Sequence, residues 1–376
     1  MSLKCTVQKD DFIEGLSVLQ NVTNKRGTLA ILSNILIEAT TNGLVLTGTD
    51  LEVGLQIFVP AEVDAIGSLT LPSKKIYEIV RESGSASLVI EETENSWVTI
   101  SAGKSVYNLA GIQSEEYPAF PEYDEEGLVP LEAPVFLDLI DKVIFSIAGE
   151  QENIYSLTSV LIEKEKIDSV SYLRMISSDG HRLSIMEKDV AVDVDHLGIE
   201  DITLIPKKGI QELRKFCENR DTIDVSFSRK QLVVKDKRAV MVVRLKHGEF
   251  PHYRAIVQAV PMDNCIKINR LLFLESLKRI NLFTEDVFHT IQLRIEGETM
   301  VLSSQNADIG NAKDELKVTY DGEPLTLGFN CRYFIETLQV MECEEVEAYI
   351  NSENSPCLMR SALDKGFTSI IMPMQL

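Results

Sequence analysis

LVLTGTD (44–50) is the stretch on which the fold turns, because its plan occurs three times. LRMISSD (173–179) and MVLSSQN (300–306) are also alternating strands that end in small hydroxyl residues and then Asp or Asn. Asp50 and Asp179 stand 129 positions apart, and Asp179 and Asn306 stand 127 apart. Self-similarity at a fixed period marks a repeated architecture.

Other stretches keep the same step. LPSKKIYEIVR (71–81), IPKKGIQELRKF (205–216) and LGFNCRYFIETLQVM (327–341) each leave a strand and enter an amphipathic helix. Ile76, Ile79 and Val80 fall at helical spacing, as do Ile210, Leu213 and Phe216. DDFIEGLSVLQNV (10–22), APVFLDLIDKVIFSIA (133–148) and NRLLFLESLKRINLF (269–283) read as a first helix for each copy. EEYPAFP (115–121) and GEFPHYR (248–254) close the first two copies. The expected domains are therefore 1–128, 129–256 and 257–376. The first boundary lies in PEYDEEGLVPLEAP, which is acidic, proline-bearing and without helical period. Many short alternating strands around isolated helices predict α+β domains with largely antiparallel sheets.

The chain has 376 residues, 44% hydrophobic and 25% charged, enough for more than one core. The net charge of −21 repels nucleic acid and anionic membrane on average, so the placement of the cations matters more than their number. The six cysteines form no C-x-x-C pair and predict free thiols in a reducing cytoplasm. No apolar run suits a signal peptide or a membrane span, so a cytoplasmic location is expected. Lys74, Lys75 and Arg81 sit in one second helix, and Lys207, Lys208, Arg214 and Lys215 in the next. Lys25, Arg26, Lys142, Lys278 and Arg279 sit in or beside the first helices. Equivalent helices of a repeat can build one basic surface that contacts phosphates without reading bases. The alternative is a set of solvated helix faces.

Catalytic signatures are missing from the sequence. There is no Walker A loop, no dinucleotide G-x-G-x-x-G, no G-x-S-x-G and no H-E-x-x-H. No two histidines stand at i, i+4, so neither a metal site nor a cofactor is expected. SSDGHRLSIM (177–186) is the one acid–base candidate, with Asp179 placed to orient His181. It also reads as an Asp-Gly turn between apolar strands. Its counterparts GTDLEVGL and SQNADIGN carry no His, so the middle turn is specialised within the scaffold.

LTGTDLE (46–52), SSDGHRLS (177–184), EFPHYRAI (249–256), GFNCRYFIETL (328–338) and the terminal MPMQL (372–376) together resemble the bacterial sliding clamp family, the β subunit of the replicative DNA polymerase. The resemblance covers the chain from end to end. It implies three repeated DNA-clamp domains, each with two helices lining a hole and antiparallel sheets outside, in a head-to-tail dimeric ring. It implies a non-catalytic processivity factor that encircles duplex DNA. A short-motif groove would tether the polymerase, the clamp loader and the repair and translesion factors. The competing readings are an accessory clamp, a threefold-repeat scaffold, and an enzyme built on Asp179 and His181.

Carried over by position, the implied groove comprises Leu157, Ser178, Gly180, His181, Arg182, Leu183, Pro251, Ile256, Phe288, Asn330, Tyr333, Ile370, Met372, Pro373 and Met374. Met, Leu, Ile and Pro make an adaptable apolar pocket. Arg182 and His181 are expected to orient polar or backbone groups of the peptide. The implied DNA contacts are Arg26, Lys74, Lys75, Lys104, Gln151, Lys207 and Lys208. The implied dimer contacts are Tyr107 and Leu109 on one side and Leu282 and Phe283 on the other. Ala30, YSLT (155–158), NSENSPC (351–357) and Gln375 depart from the family pattern and suggest an altered peptide preference.

Overall fold

A computed structural model describes residues 3–23, 29–149, 155–284, 289–306 and 308–375. Seven α-helices lie among them: α1 (Lys9–Thr23), α2 (Ser73–Glu82), α3 (Ala133–Asp141), α4 (Lys207–Cys217), α5 (Tyr253–Gln258), α6 (Arg270–Asn281) and α7 (Cys331–Val340). The first helices bury the same stripe in each copy. Phe12, Leu16 and Leu19 correspond to Phe136, Ile140 and Val143 (the last just past the end of α3), and to Phe273, Leu277 and Ile280, and all nine are buried. That spacing is one face of a helix laid on a sheet. α6 and α7 start on side-chain caps, with Asn269 Oδ1 accepting from Leu272 N (3.0 Å) and Asn330 Oδ1 from Arg332 N (2.9 Å).

The repeated Asp or Asn has a physical reason. Asp50 Oδ1 accepts from Glu52 N and Val53 N, at 3.1 and 2.9 Å. Asp179 Oδ1 accepts from His181 N and Arg182 N, both at 3.0 Å. Asn306 Oδ1 accepts from Asp308 N and Ile309 N, at 2.9 and 3.2 Å. A short side-chain carbonyl closes each turn on its own backbone.

Contacts divide the chain into two compact units. One comprises Met1–Ala133, His196–Gly198 and Gln211–Leu245; the other comprises Pro134–Asp195, Ile199–Ile210 and Lys246–Leu376. Each unit has one 12-stranded sheet, and every described strand pairing is antiparallel, as an α+β fold requires. Each sheet also has a seam where strands of two sequence copies pair. In the first unit Val53–Ala65 pairs with Ala239–Arg244, setting Ile57 opposite Ala239. In the second, Arg182–Val190 pairs with Phe367–Ile371, setting Met186 opposite Phe367. The units therefore group strands by sheet, whereas the repeat groups them by sequence.

One expectation changes in the second unit. Lys142 belongs to no basic surface: it is 4% exposed, and its Nζ lies 2.7 Å from Asp364 Oδ1. Its position at the end of an apolar helix stripe turns it inward. Phe367–Ile371, close to the chain end, lies inside its sheet, pairing with Arg182–Val190 on one side and Cys357–Arg360 on the other.

Among the described residues no helix is long and apolar enough to cross a membrane. No group of three or more His, Cys, Asp or Glu among them could hold a metal ion. All six cysteines are free, and burial pushes the thiols of Cys5, Cys217 and Cys331 up to about 12.

Candidate functional site

The turn at 178–182 is built by its own side chains. Ser178 Oγ donates to Arg182 O (2.7 Å) and accepts from Gly180 N (3.1 Å). Gly180 has φ +87°, where a side chain is disfavoured, but an added Cβ would only touch Leu157 Cδ1 at 3.9 Å. Gly366, beside the entry to Phe367–Ile371, has φ +84° and a Cβ there would lie 2.1 Å from Glu187 O. Gly180→Ala is therefore expected to cost about 1–2 kcal/mol, the left-handed penalty alone, and Gly366→Ala clearly more. Urea unfolding midpoints of the two variants check the order.

The chain end docks on this turn. Leu183 lies opposite Ile370, Met372 N donates to His181 O (2.9 Å), and Met374 N donates to Gly328 O (2.8 Å). These bonds bring residues 178–183, the C-terminal stretch and the entry to α7 to one place. Leu183 and Ile370 belong to the core beneath, with Tyr253 and Leu358. Leu157 and Ser178 are buried beside them. Asn330 is buried as the cap of α7, and Tyr333, Pro373 and Met374 are half-buried. Gly180, His181, Pro251, Ile256 and Met372 are exposed. The result is an apolar floor with a flexible methionine and an isoleucine at its rim. Phe288 lies outside the described residues.

Arg182 departs from its expected role. It is 8% exposed. Nε donates to Asp179 Oδ2 (2.9 Å), Nη2 to the carbonyl of Phe145 (2.6 Å), and Nη1 to Glu336. Its guanidinium lies 4.5 Å from the centre of the Tyr333 ring and 5.2 Å from that of Phe145. Three of its five N–H donors are thus bonded within the chain and the side chain is buried, so Arg182 builds the wall, and of the pair His181 is the exposed residue. Both Asp179 oxygens serve the turn and Arg182, and neither acts as an orienter of the His181 ring. Phe145, Glu336 and Gly328 were invisible to sequence reading, since only the fold brings them to the turn.

The expected cationic residues differ in availability. Lys74 and Lys75 are exposed on the first turn of α2, and Lys75 pairs with Glu78 at 2.7 Å. Lys104 is exposed in the turn before strand Ser105–Ala110. Lys207 is tethered, donating to the carbonyls of Ile147 (3.2 Å) and Ala148 (3.4 Å). Lys208 is half-buried. Arg26 and Gln151 lie outside the described residues.

Each unit has a free sheet edge. Ser105–Ala110, with half-exposed Tyr107 and Leu109, pairs only with Trp97–Ala102 among the described strands. Gly310–Thr319 pairs along its length with Thr299–Asn306, but on its other side only through Val318 and Thr319. Leu282, 69% exposed, and half-buried Phe283 follow α6, which packs on that strand. Unpaired edges of this kind invite another strand.

Models of three consecutive domains of the DNA polymerase III beta subunit match the chain in order: N-terminal at residues 3–121, central at 130–252 and C-terminal at 259–375. The chain belongs to the DNA polymerase III beta subunit family. Among its relatives, the beta sliding clamp of Caulobacter vibrioides strain NA1000 is 27% identical, with 99% of this chain and 100% of the relative covered. That of Vibrio cholerae is 25% identical, with both chains covered fully. Among the solved structures that match over the whole of both chains are two sliding clamps. The sliding clamp from Bartonella birtlesii, bound to griselimycin, has a TM-score of 0.93 at 26% identity. The DNA polymerase sliding clamp from Bacillus subtilis has a TM-score of 0.92 at 25% identity.

Within this family fold the departures fall into two kinds. YSLT (155–158) contributes buried Leu157 directly under the turn, so a change there alters the floor. NSENSPC (351–357) closes on itself, with Ser355 Oγ accepting from Asn351 N (3.1 Å) and Ser352 N (2.7 Å).

Proposed function

We propose that this chain is a DNA sliding clamp that gives processivity to a replicative polymerase. It is a non-catalytic subunit of the holoenzyme and acts in the cytoplasm. The observation that carries the reading is the full-length succession of three beta-subunit domain models. The same succession supports domain boundaries near 128 and 256.

In this reading two chains join head to tail. The edge with Tyr107 and Leu109 meets the partner's edge beside Leu282 and Phe283. Helices line the hole, and duplex DNA passes through without being read. Lys74, Lys75, Lys104 and Lys208 supply screened phosphate contacts, and the family resemblance adds Arg26 and Gln151 to the set. Lys207 contributes less, being held by two carbonyls. A modest number of cations suits sliding, because tight phosphate binding would arrest it.

The groove at 178–183 and 370–374 takes a short linear motif from polymerase, loader and repair factors. Leu157, Leu183 and Ile370 form its floor, and Ile256, Pro251, Met372, Pro373 and Met374 its rim, and the family resemblance adds Phe288 to the set. Ser178, Gly180, Arg182, Asn330 and Tyr333 fix its shape, and His181 meets polar groups of the motif. A labelled peptide with Gln, then Leu, then Leu-Phe tests this by fluorescence polarisation. Saturable binding is expected, with Kd on the order of micromolar. A folded chain lacking Met372 to Leu376 should lose it. Equal affinity in the truncated chain would remove the groove from the account.

A further inference from the structure

The repeat allows one position to be compared across three copies. Each first helix starts where its N–H meets the carbonyl that precedes a strand: Lys9 on Ala86 (2.8 Å), Ala133 on Asp221 (3.0 Å) and Arg270 on Glu344 (2.8 Å). Counted from that start, Val18, Lys142 and Arg279 are equivalent. Lys142 is bonded to Asp364 at 2.7 Å, and Arg279 Nε to Asp314 at 2.9 Å. Val18 alone has no charge.

The seam strands carry a second difference. Ala239 stands opposite Ile57, where Phe367 stands opposite Met186. Phe367 is 2% exposed, and the Lys142 ammonium lies 5.7 Å from its ring centre. The second unit thus places a lysine against a phenylalanine where the first has valine and alanine. The space left is a cleft of about 860 Å³ in the first unit, walled by Val18, Ile57, Phe58 and Ala239. The corresponding cleft by Lys142 and Asp364 holds about 440 Å³. Around the larger cleft Lys215, Arg220 and Arg238 are already paired with Glu212, Asp236 and Asp11. Glu14, Asp221 and Asp224 also line it and make no ion pair among the described residues, and they outnumber the one lining cation without a pair there, Lys237.

We propose that this cleft docks a short segment of a partner protein that presents a large apolar side chain beside a lysine or arginine. The second unit shows the fold partly filling the same place with that pair of side chains. The three unpaired carboxylates complement the guest's cation, and Val18, Ile57 and Phe58 receive its apolar side chain. The site is separate from the groove at the 178–182 turn, which belongs to the other unit.

The test uses the full chain and a labelled Gly-Ser-Phe-Lys-Ser-Gly peptide. Counterparts carry Gln for Lys or Ala for Phe. Saturable binding is expected, weaker by at least about tenfold for either counterpart. The variant V18K/A239F copies the second unit into the first and should lose binding by a similar factor. Circular dichroism and a thermal midpoint establish that it is folded. Should it not fold, E14Q/D221N, at two exposed positions, replaces it and is expected to weaken binding. Unchanged affinity in the folded filled variant, or indifference to the Phe, would overturn the proposal. So would the absence of saturable binding to the intact chain. Self-association of the chain that V18K/A239F abolishes would assign the cleft to a second copy and overturn the peptide reading.

Discussion

Lys142→Met is expected to destabilise the chain by about 3–5 kcal/mol, because it leaves a buried carboxylate without its cation. Lys142 and Asp364 are 4% and 6% exposed. Nζ also donates to the carbonyl of Val340 and lies 5.7 Å from the centre of the Phe367 ring. Asp364 accepts further bonds from Glu342 N (3.0 Å) and Ser361 Oγ (2.8 Å). Burial pushes the Asp364 carboxyl up, but Lys142, the Glu342 N–H and the Ser361 hydroxyl outweigh it and hold it below its ordinary value. A depressed folded-state carboxylate contributes stability that is present above its unfolded pKa, about 3.9 for Asp. That stability is lost as pH falls through the folded value. The gap between wild type and Lys142→Met should therefore be full at pH 7 and narrow below about pH 4. The double variant with Asp364→Asn should recover part of the loss, since the unpaired charge is gone. Urea unfolding followed by circular dichroism at the two pH values measures both effects.

Arg182→Ala is expected to weaken groove-peptide binding by at least about tenfold and to lower stability by about 3 kcal/mol. It removes the donor that joins Asp179, Phe145 and Glu336, and the surface on which the Tyr333 ring lies. The Asp179 and Glu336 carboxylates then lose their shared cation. Arg182→Lys keeps the charge but not the planar fork, so it should restore more of the stability than of the affinity. The contrast separates positioning from peptide contact. A fall in affinity with stability unchanged would contradict the positioning role. Parallel peptide titrations and urea unfolding of the three proteins decide it.

What was legible in the sequence was whatever is local. Asp50, Asp179 and Asn306 announced the repeat because each closes a turn within three residues. The first-helix stripes were legible because Phe12, Phe136 and Phe273 recur in register. The two buried cations were not. Lys142 and Asp364 are 222 positions apart, and Arg182 reaches Glu336 across 154. Helical spacing reads Lys142 as one more surface charge until the strand holding Phe367 is set against it. The groove's location came from family resemblance, and its mechanics required the docking of Met372 and Met374 on distant carbonyls. The seam pairs Ile57–Ala239 and Met186–Phe367 are equally long-range, which is why the open cleft of the first unit has no signature in one dimension.

The most direct measurement is retention on DNA before and after cutting. The chain would be loaded onto a nicked circular plasmid by the clamp loader of its own organism and separated by gel filtration. A topological clamp elutes as a dimer with the circle and is released when the plasmid is linearised. Equal retention on circular and linear DNA, or a monomer that never joins the circle, would contradict the clamp.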